Sequence, residues 1–176
     1  KAPFTHELYI EKSDFAEVPP PKFQRLKPDG EVRLMGAYIV RCNEVIKDGN
    51  GEIVEIRCTA DLETGNGMPA DGRKVKGTIH WVSAAHAVDA DLYLYDNLLT
   101  IENANDLPEG KDYLDYLNPD SLKKLTGCKL EPALADAKAG ERFQFVRMGY
   151  YVKDRESGRF NRIVTLKDSF AKTLQK

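Results

Sequence analysis

The sequence predicts a mainly β fold, a sandwich or barrel with few and brief helices. Three observations carry that expectation. Runs of β-branched and aromatic residues recur at close intervals along the chain. Turn residues punctuate them, most strongly at Asp48-Gly49-Asn50-Gly51. Alternating apolar and polar positions in stretches such as Phe143-Gln144-Phe145 fit a strand with one buried face.

Taken in order, a short helix is expected near Lys12 to Glu17. Val18-Pro19-Pro20-Pro21 then follows as a stiff extended connector, because proline fixes φ and removes a donor. Glu31 to Cys42 and Gly51 to Thr59 read as strands flanking the Asp48–Gly51 turn, hence a hairpin. In its second arm Ile53, Glu55 and Arg57 share one face and Val54, Ile56 and Cys58 the other. Gly65 to Gly72 is a long polar turn region expected to separate two domains. Lys74 to Ser83 and Asp91 to Tyr95 are further strands, a brief helix is expected around Asp112 to Leu117, and Phe143–Arg147, Tyr150–Lys153 and Phe160–Leu166 complete the strand set. A last helix is expected after Thr165.

A chain of 176 residues with 41% hydrophobic content can fill one large core or two small ones. No apolar run approaches the ~20 residues that span a bilayer, and the first ten residues lack a signal peptide's apolar core, so a soluble, cytoplasmic chain is expected. Cys42, Cys58 and Cys128 show neither a C-x-x-C spacing nor an even count, which argues for packed, reduced thiols rather than a metal site or a disulfide framework. Cys42 and Cys58 are spaced to face each other across the hairpin. The net charge of −2 conceals patterning: nine acidic residues and one basic between Asp89 and Asp120, ten basic and four acidic from Lys138 to Lys176, and five basic against two acidic from Lys22 to Arg41. Such polarity fits a molecule with one side turned to a polyanion and another that repels it.

The residues that might carry catalysis are poorly arranged for it. His80 and His86 stand six apart with no third ligand, which favours a structural role. Trp81, between Ile79 and Val82, is expected as a core or junction anchor. Asp89 with Asp91, and Asp112 with Asp115, lack the surroundings that would split their pKa values, and no Gly-rich phosphate loop or Ser/His/Asp order is present. No catalytic residue and no metal ligand is expected. What does suggest binding is the interleaving of aromatic and basic residues in Phe143–Arg147 and Arg159–Arg162, the combination that suits unpaired RNA. Phe143 and Phe145 are expected to point inward, leaving Gln144 exposed on the opposite face.

One stretch goes further. Gly72-Arg-Lys-Val-Lys-Gly-Thr-Ile-His-Trp-Val-Ser-Ala-Ala-His-Ala87, together with Phe4–Phe15, Glu31–Leu34, Phe143–Tyr150 and Phe160–Asp168, resembles the anticodon-binding half of bacterial glutaminyl-tRNA synthetases over nearly the whole chain. The resemblance implies two β-barrels: residues 1–72 as a first barrel lacking its N-terminal strand and so left with a raw edge, residues 73–158 as a second, and residues 159–176 returning to pack on the first. It implies a tRNA-Gln anticodon loop and the catalytic half of the same synthetase as partners, a monomer, and no membrane. The His-Ile-Gly-His-like and Lys-Met-Ser-Lys-like catalytic signatures are missing, so no cofactor is expected in this chain, while the whole enzyme would use ATP and magnesium to join glutamine to its tRNA.

By position, the resemblance also assigns readers. Gln144 matches the residue that meets the middle uracil of the CUG/UUG anticodon, Arg25 in Gln24-Arg25-Leu26 the one that meets the third guanine, and Arg33 the one that accepts either first base. Arg147 is expected to brace the pocket or a phosphate, Gln24 to lie beside Arg25 at the tRNA, and Lys167 to contact the tRNA where relatives carry arginine. Two departures stand out: Met35 where a second arginine commonly follows Arg33, and Val146 where an acidic residue is common. The nearest alternative is the equivalent module of a glutamyl-tRNA synthetase, against which Ile79–His86 and Gln144 speak; a non-catalytic barrel that binds structured RNA or protein is the other.

Overall fold

The computed structural model describes residues 2–103, 105 and 107–166. Eleven strands and three short 3₁₀ turns are found there, in line with the mainly β class expected. The chain divides into two units, Lys1–His86 and Ala87–Lys176, each with its own core.

The first unit holds β1 (Leu8–Ile10), β2 (Glu31–Leu34), β3 (Ile39–Lys47), β4 (Ile53–Asp61), β5 (Thr78–Ile79) and β6 (Trp81–Ser83). They form a four-stranded sheet in the order β4-β3-β2-β5 and a two-stranded ladder of β1 with β6. The chain passes from one ladder to the other at His80, so two residues of strand pair with β2 and the next three with β1. The run Glu31–Cys42, expected as one strand, is divided by a tight turn. The Ala37 amide bonds to the Leu34 carbonyl at 3.0 Å and Leu34 to Tyr38 at 2.9 Å, around Gly36 at φ +68°. A left-handed residue is what such a turn needs, and its glycine overrides the strand propensity on either side. The β3–β4 hairpin forms as expected, with the Asp48 carboxylate accepting the Asn50 and Glu52 amides, each at 2.9 Å, and Cys42 opposite Cys58.

Alternation along β2 and β3 sends Val32, Leu34, Val40 and Cys42 into one core with Leu26, Ile79 and Trp81. Each fully buried aliphatic side chain contributes about 1.5–3 kcal/mol. Trp81 anchors the corner between ladders: its ring is buried and its indole N–H donates to the Met35 carbonyl at 3.0 Å, satisfying the one polar atom that burial would otherwise penalise.

The second unit contains β7 (Val88–Tyr95), β8 (Leu122–Leu130), β9 (Arg142–Phe145), β10 (Gly149–Lys153) and β11 (Phe160–Val164), ordered β8-β7-β11-β10-β9. β11 runs parallel to β7 and antiparallel to β10. Leu92, Leu130, Tyr151 and Phe160 make the core, with Phe143 and Phe145 packed against it; Phe145 stacks on Tyr151 at 4.3 Å between centroids. In neither unit does the hydrogen-bond ladder close into a ring among the described residues.

The boundary expected at Gly72 falls inside the first unit, because strand pairing rather than turn composition assigns Thr78–Ser83: β5 to β2 and β6 to β1. Of residues 159–176, expected to return to the first barrel, 160–164 form β11 within the second unit's sheet. Residues 167–176, including most of the helix expected after Thr165, lie outside the described residues.

Gly77 sits where a side chain cannot. Its φ is +93°, and an added Cβ would lie 1.8 Å from the Gln24 carbonyl oxygen. Gly77→Ala is therefore expected to destabilise the protein by at least about 2 kcal/mol in urea denaturation, whereas Gly49→Ala, in open space without a left-handed φ, should stay within about 0.5 kcal/mol of the parent.

Candidate nucleic-acid interface

The sequence-assigned side chains fall into two groups, one in each unit. Gln24, Arg25 and Arg33 belong to the first. Leu26 is buried and draws this segment against residues 14–16: the Leu26 amide donates to the Asp14 carbonyl at 3.0 Å and the Ala16 amide to the Leu26 carbonyl at 3.2 Å. Arg25 is held by the same arrangement. Its Nε lies 3.4 Å from the Asp14 carboxylate and its Nη1 donates to the Ser13 carbonyl at 2.9 Å. Asp14 is 0% exposed and the Arg25 side chain 17%. A carboxylate so buried needs a charged partner, so the guanidinium is fixed in place.

Arg33 lies on β2, where its amide donates to the Gly77 carbonyl at 3.2 Å. Gly77 in turn abuts Gln24, so one glycine brings the Gln24-Arg25 segment and Arg33 into the same neighbourhood. The Arg33 guanidinium reaches the polar loop that follows β4: Nη1 donates to the Gly65 carbonyl at 2.7 Å and Nη2 to the Gly67 carbonyl at 2.6 Å. Carbonyl oxygens of this kind present the same acceptor chemistry as the O2 of a pyrimidine.

Arg73 is the residue that sequence reasoning passed over. Its Nε meets Glu31 at 3.0 Å, its Nη1 meets Asp71 at 2.7 Å and its Nη2 meets Asp61 at 2.7 Å. The Thr64 hydroxyl and Arg73 hold the Asp61 carboxyl down to about 2. The Arg73 backbone amide, ahead of its guanidinium, lowers Asp71 as well. Those carboxylates are scattered over residues 31, 61 and 71, so no local pattern could reveal the cluster; the only signal was the place of Arg73 in the Gly72–Ala87 stretch. A second missed feature is a concavity of about 490 Å³ walled by Pro19, Pro20 and Phe23 and rimmed by Lys22, Lys27 and Lys76, none of which forms an ion pair among the described residues.

In the second unit, Gln144 is exposed between the half-buried Phe143 and Phe145, as alternation requires. The Phe145–Met148 turn follows at once, closed by the Met148 amide on the Phe145 carbonyl at 2.9 Å. Arg147 occupies its third position at φ +69°, a left-handed conformation that is rare outside glycine and concentrates at functional sites. Lys167 lies outside the described residues.

The other candidates have structural duties. His86 Nδ1 bonds the Ser83 hydroxyl at 3.0 Å. Asp112 and Asp115 form a reciprocal cap on the 3₁₀ turn Tyr113–Tyr116. Asp89 pairs with Lys129, and Asp91 accepts the Gly127 amide at 3.1 Å. Cys42 and Cys58 are free thiols, and burial, with a smaller effect of the neighbouring sulfur, pushes Cys58 up to about 11. No group of three or more His, Cys, Asp or Glu able to hold a metal occurs among the described residues, and no helix there is long and apolar enough to cross a membrane.

Family models described as the anticodon-binding domain of class I tRNA synthetases (E and Q) match residues 1–61 and 78–154. The chain belongs to this family. Among curated relatives, the glutamine–tRNA ligase of Xanthomonas campestris pv. campestris (strain 8004) is 53% identical over 177 residues, 98% of this chain and 30% of the relative. That of Ectopseudomonas mendocina (strain ymp) is 53% identical over 96% of this chain and 31% of the relative, and that of Pseudomonas syringae pv. tomato is 49% identical over 96% and 30%. This anticodon-binding domain thus spans about three-tenths of the length of the relatives it matches.

The Arg73 cluster sets a pH dependence for the anticodon-binding domain. A carboxyl depressed to about 2 in the fold and near 4 in the unfolded chain adds stability above pH 4 that is lost as pH falls toward 2. In chemical denaturation between pH 6 and 2.5, Asp61→Asn is expected to be less stable than the parent at pH 6 and to show a shallower loss on acidification, so that the two curves approach each other.

Proposed function

We propose that this domain reads the anticodon of tRNA-Gln for a glutaminyl-tRNA synthetase whose catalytic half, with its ATP and magnesium, lies in the remainder of the protein. Gln144 carries the reading. Its carboxamide projects from the exposed face of a strand whose backbone is fixed by the half-buried Phe143 and Phe145 on either side. It can accept from uracil N3–H and donate to a uracil carbonyl, which suits the middle base of CUG and UUG. The left-handed turn at Arg147 sets a guanidinium three positions past Gln144, within reach of a neighbouring phosphate.

Arg25 is the reader of the third base in this proposal. Its tie to Asp14 leaves the guanidinium pre-aimed, and a fork of that geometry matches guanine O6 and N7. Arg33 takes the first base, cytosine or uracil. The carbonyls of Gly65 and Gly67 hold its donors in the absence of RNA, and a pyrimidine O2, common to both bases, exchanges for one of them. With Met35 in place of a second arginine, this contact rests on a single guanidinium. Gln24 and Lys167 contribute contacts to the tRNA around these three positions.

The family description covers glutamate as well as glutamine enzymes, and comparison of the two tRNAs at matched salt discriminates between them. The decisive measurement concerns the middle base. Gln144→Ala is expected to weaken binding of the native anticodon stem-loop by about 1–3 kcal/mol and to leave binding of a middle-base variant nearly unchanged. Equal losses on both RNAs would refute the assignment.

A further inference from the structure

The outer face of the second unit's sheet is continuous with Gln144 and is composed unlike the rest of the surface. Alternation sends Leu92, Phe143, Phe145, Tyr151 and Phe160 to the core. The register sets their neighbours in two rows on the other side. Arg142, Val152, Asn161, Tyr93 and Lys124 are successive partners across all five strands. In the next row Gln144 faces Tyr150, which faces Val164, and Tyr95 faces Leu122 at the far side.

Tyr150 stands directly opposite Gln144 and is 43% exposed; Tyr95, Ile163 and Val164 are exposed as well. The first row ends in a cation at each edge of the sheet, Arg142 on β9 and Lys124 on β8. The Lys124 ammonium lies 5.3 Å from the centroid of Tyr93, and the Arg159 guanidinium 4.3 Å from the same ring. Neither row contains a carboxylate, although the chain carries 28. Asp154 adjoins the first row but is engaged there, accepting from Asn161 Nδ2 at 2.9 Å and lying 3.7 Å from the Arg159 guanidinium; exposed rings framed by cations suit unpaired nucleotides, whose bases stack on π faces while their phosphates meet the charges. Neither row offers a carboxylate to pair with the basic groups of a protein partner.

We propose that this face is a stacking platform for a nucleotide of the same RNA adjoining the one Gln144 reads, with Tyr150 as the stacking ring and Arg142 beside it for the phosphate. The inference rests on the decoding role of Gln144. Because a ring accepts any base, the platform adds affinity and orients the loop without adding sequence preference. It holds the neighbouring nucleotide unstacked from the middle base, so that the uracil edge is turned to the carboxamide.

The test uses the full chain and an anticodon stem-loop with the native middle base, in versions abasic at each loop nucleotide flanking that base, read by fluorescence anisotropy at fixed salt. Tyr150→Ala is expected to weaken binding of the intact loop by about 5- to 100-fold, with Tyr150→Phe within about twofold of the parent. The Ala effect should vanish on one abasic loop and persist when that nucleotide carries any other base. Tyr150→Ala binding within about twofold of the parent, while Gln144→Ala still distinguishes the middle base, would overturn the platform and leave decoding intact. A Tyr150→Ala loss of equal size on every abasic loop would also overturn it, showing a ring that braces Gln144 rather than one that stacks. Failure of Gln144→Ala to depend on the middle base, or no binding of any loop by the parent chain, would remove both readings.

Discussion

The first unit is organised around one guanidinium. Arg73 binds three carboxylates: Glu31 at the start of β2, Asp61 at the end of β4 and Asp71 in the loop that joins them to the Gly72–Ala87 stretch. Any one of these pairs, partly exposed, would contribute little. Three on a single planar fork share the entropy already spent in ordering that side chain, and they tie the ends of a long polar loop to the strand that carries Arg33. Glu31 and Arg33 are two apart on β2 and so lie on one face of the strand. Arg73 therefore closes the loop on one side of that face while Arg33 closes it on the other through Gly65 and Gly67.

The consequence is preorganisation of a particular kind. Arg25 is held by a buried carboxylate and Arg33 by backbone carbonyls, so both guanidinia are ordered by the fold itself, and a ligand that met them would lose less conformational entropy on binding. The two anchors differ in permanence. Asp14 has no access to water, and parting it from Arg25 would remove a charged partner from a buried carboxylate. The Gly65 and Gly67 carbonyls belong to a polar surface loop and can return to solvent at small cost.

Much of this was legible in the chain. The Asp48–Gly51 turn, the inward Phe143 and Phe145 with Gln144 between them, and Trp81 as a buried anchor all follow from local rules of alternation and turn chemistry, and local rules survive folding when the tertiary environment agrees with them. What could not be read depends on pairing between distant segments. Thr78–Ser83 looks like one strand of a new domain, yet it is split between β2 and β1, and nothing in its own composition names those partners. Glu31–Cys42 looks like one strand because Met35, Ala37 and Tyr38 fit a sheet, while Gly36 alone carries the turn. The Arg73 cluster and the Arg25–Asp14 pair are contacts between residues remote in sequence or set by a loop's path, and only their geometry exposes them.

The net charge of −2 says little about how an anticodon-binding domain would meet a polyanion, because ion pairing decides where that charge lies. Glu31, Asp61 and Asp71 are spent on Arg73, Glu44 and Glu55 on Arg57, Asp89 on Lys129 and Asp14 on Arg25. The one-to-one pairs, Asp89 with Lys129 and Asp14 with Arg25, act on a distant phosphate as dipoles, whereas three carboxylates on Arg73 and two on Arg57 leave those clusters net negative. Lys22, Lys27 and Lys76 have no such partner among the described residues, and they ring one concavity beside Gln24. The potential an RNA meets is thus set by which charges are left over after folding, and by where the fold gathers them, rather than by the formal sum.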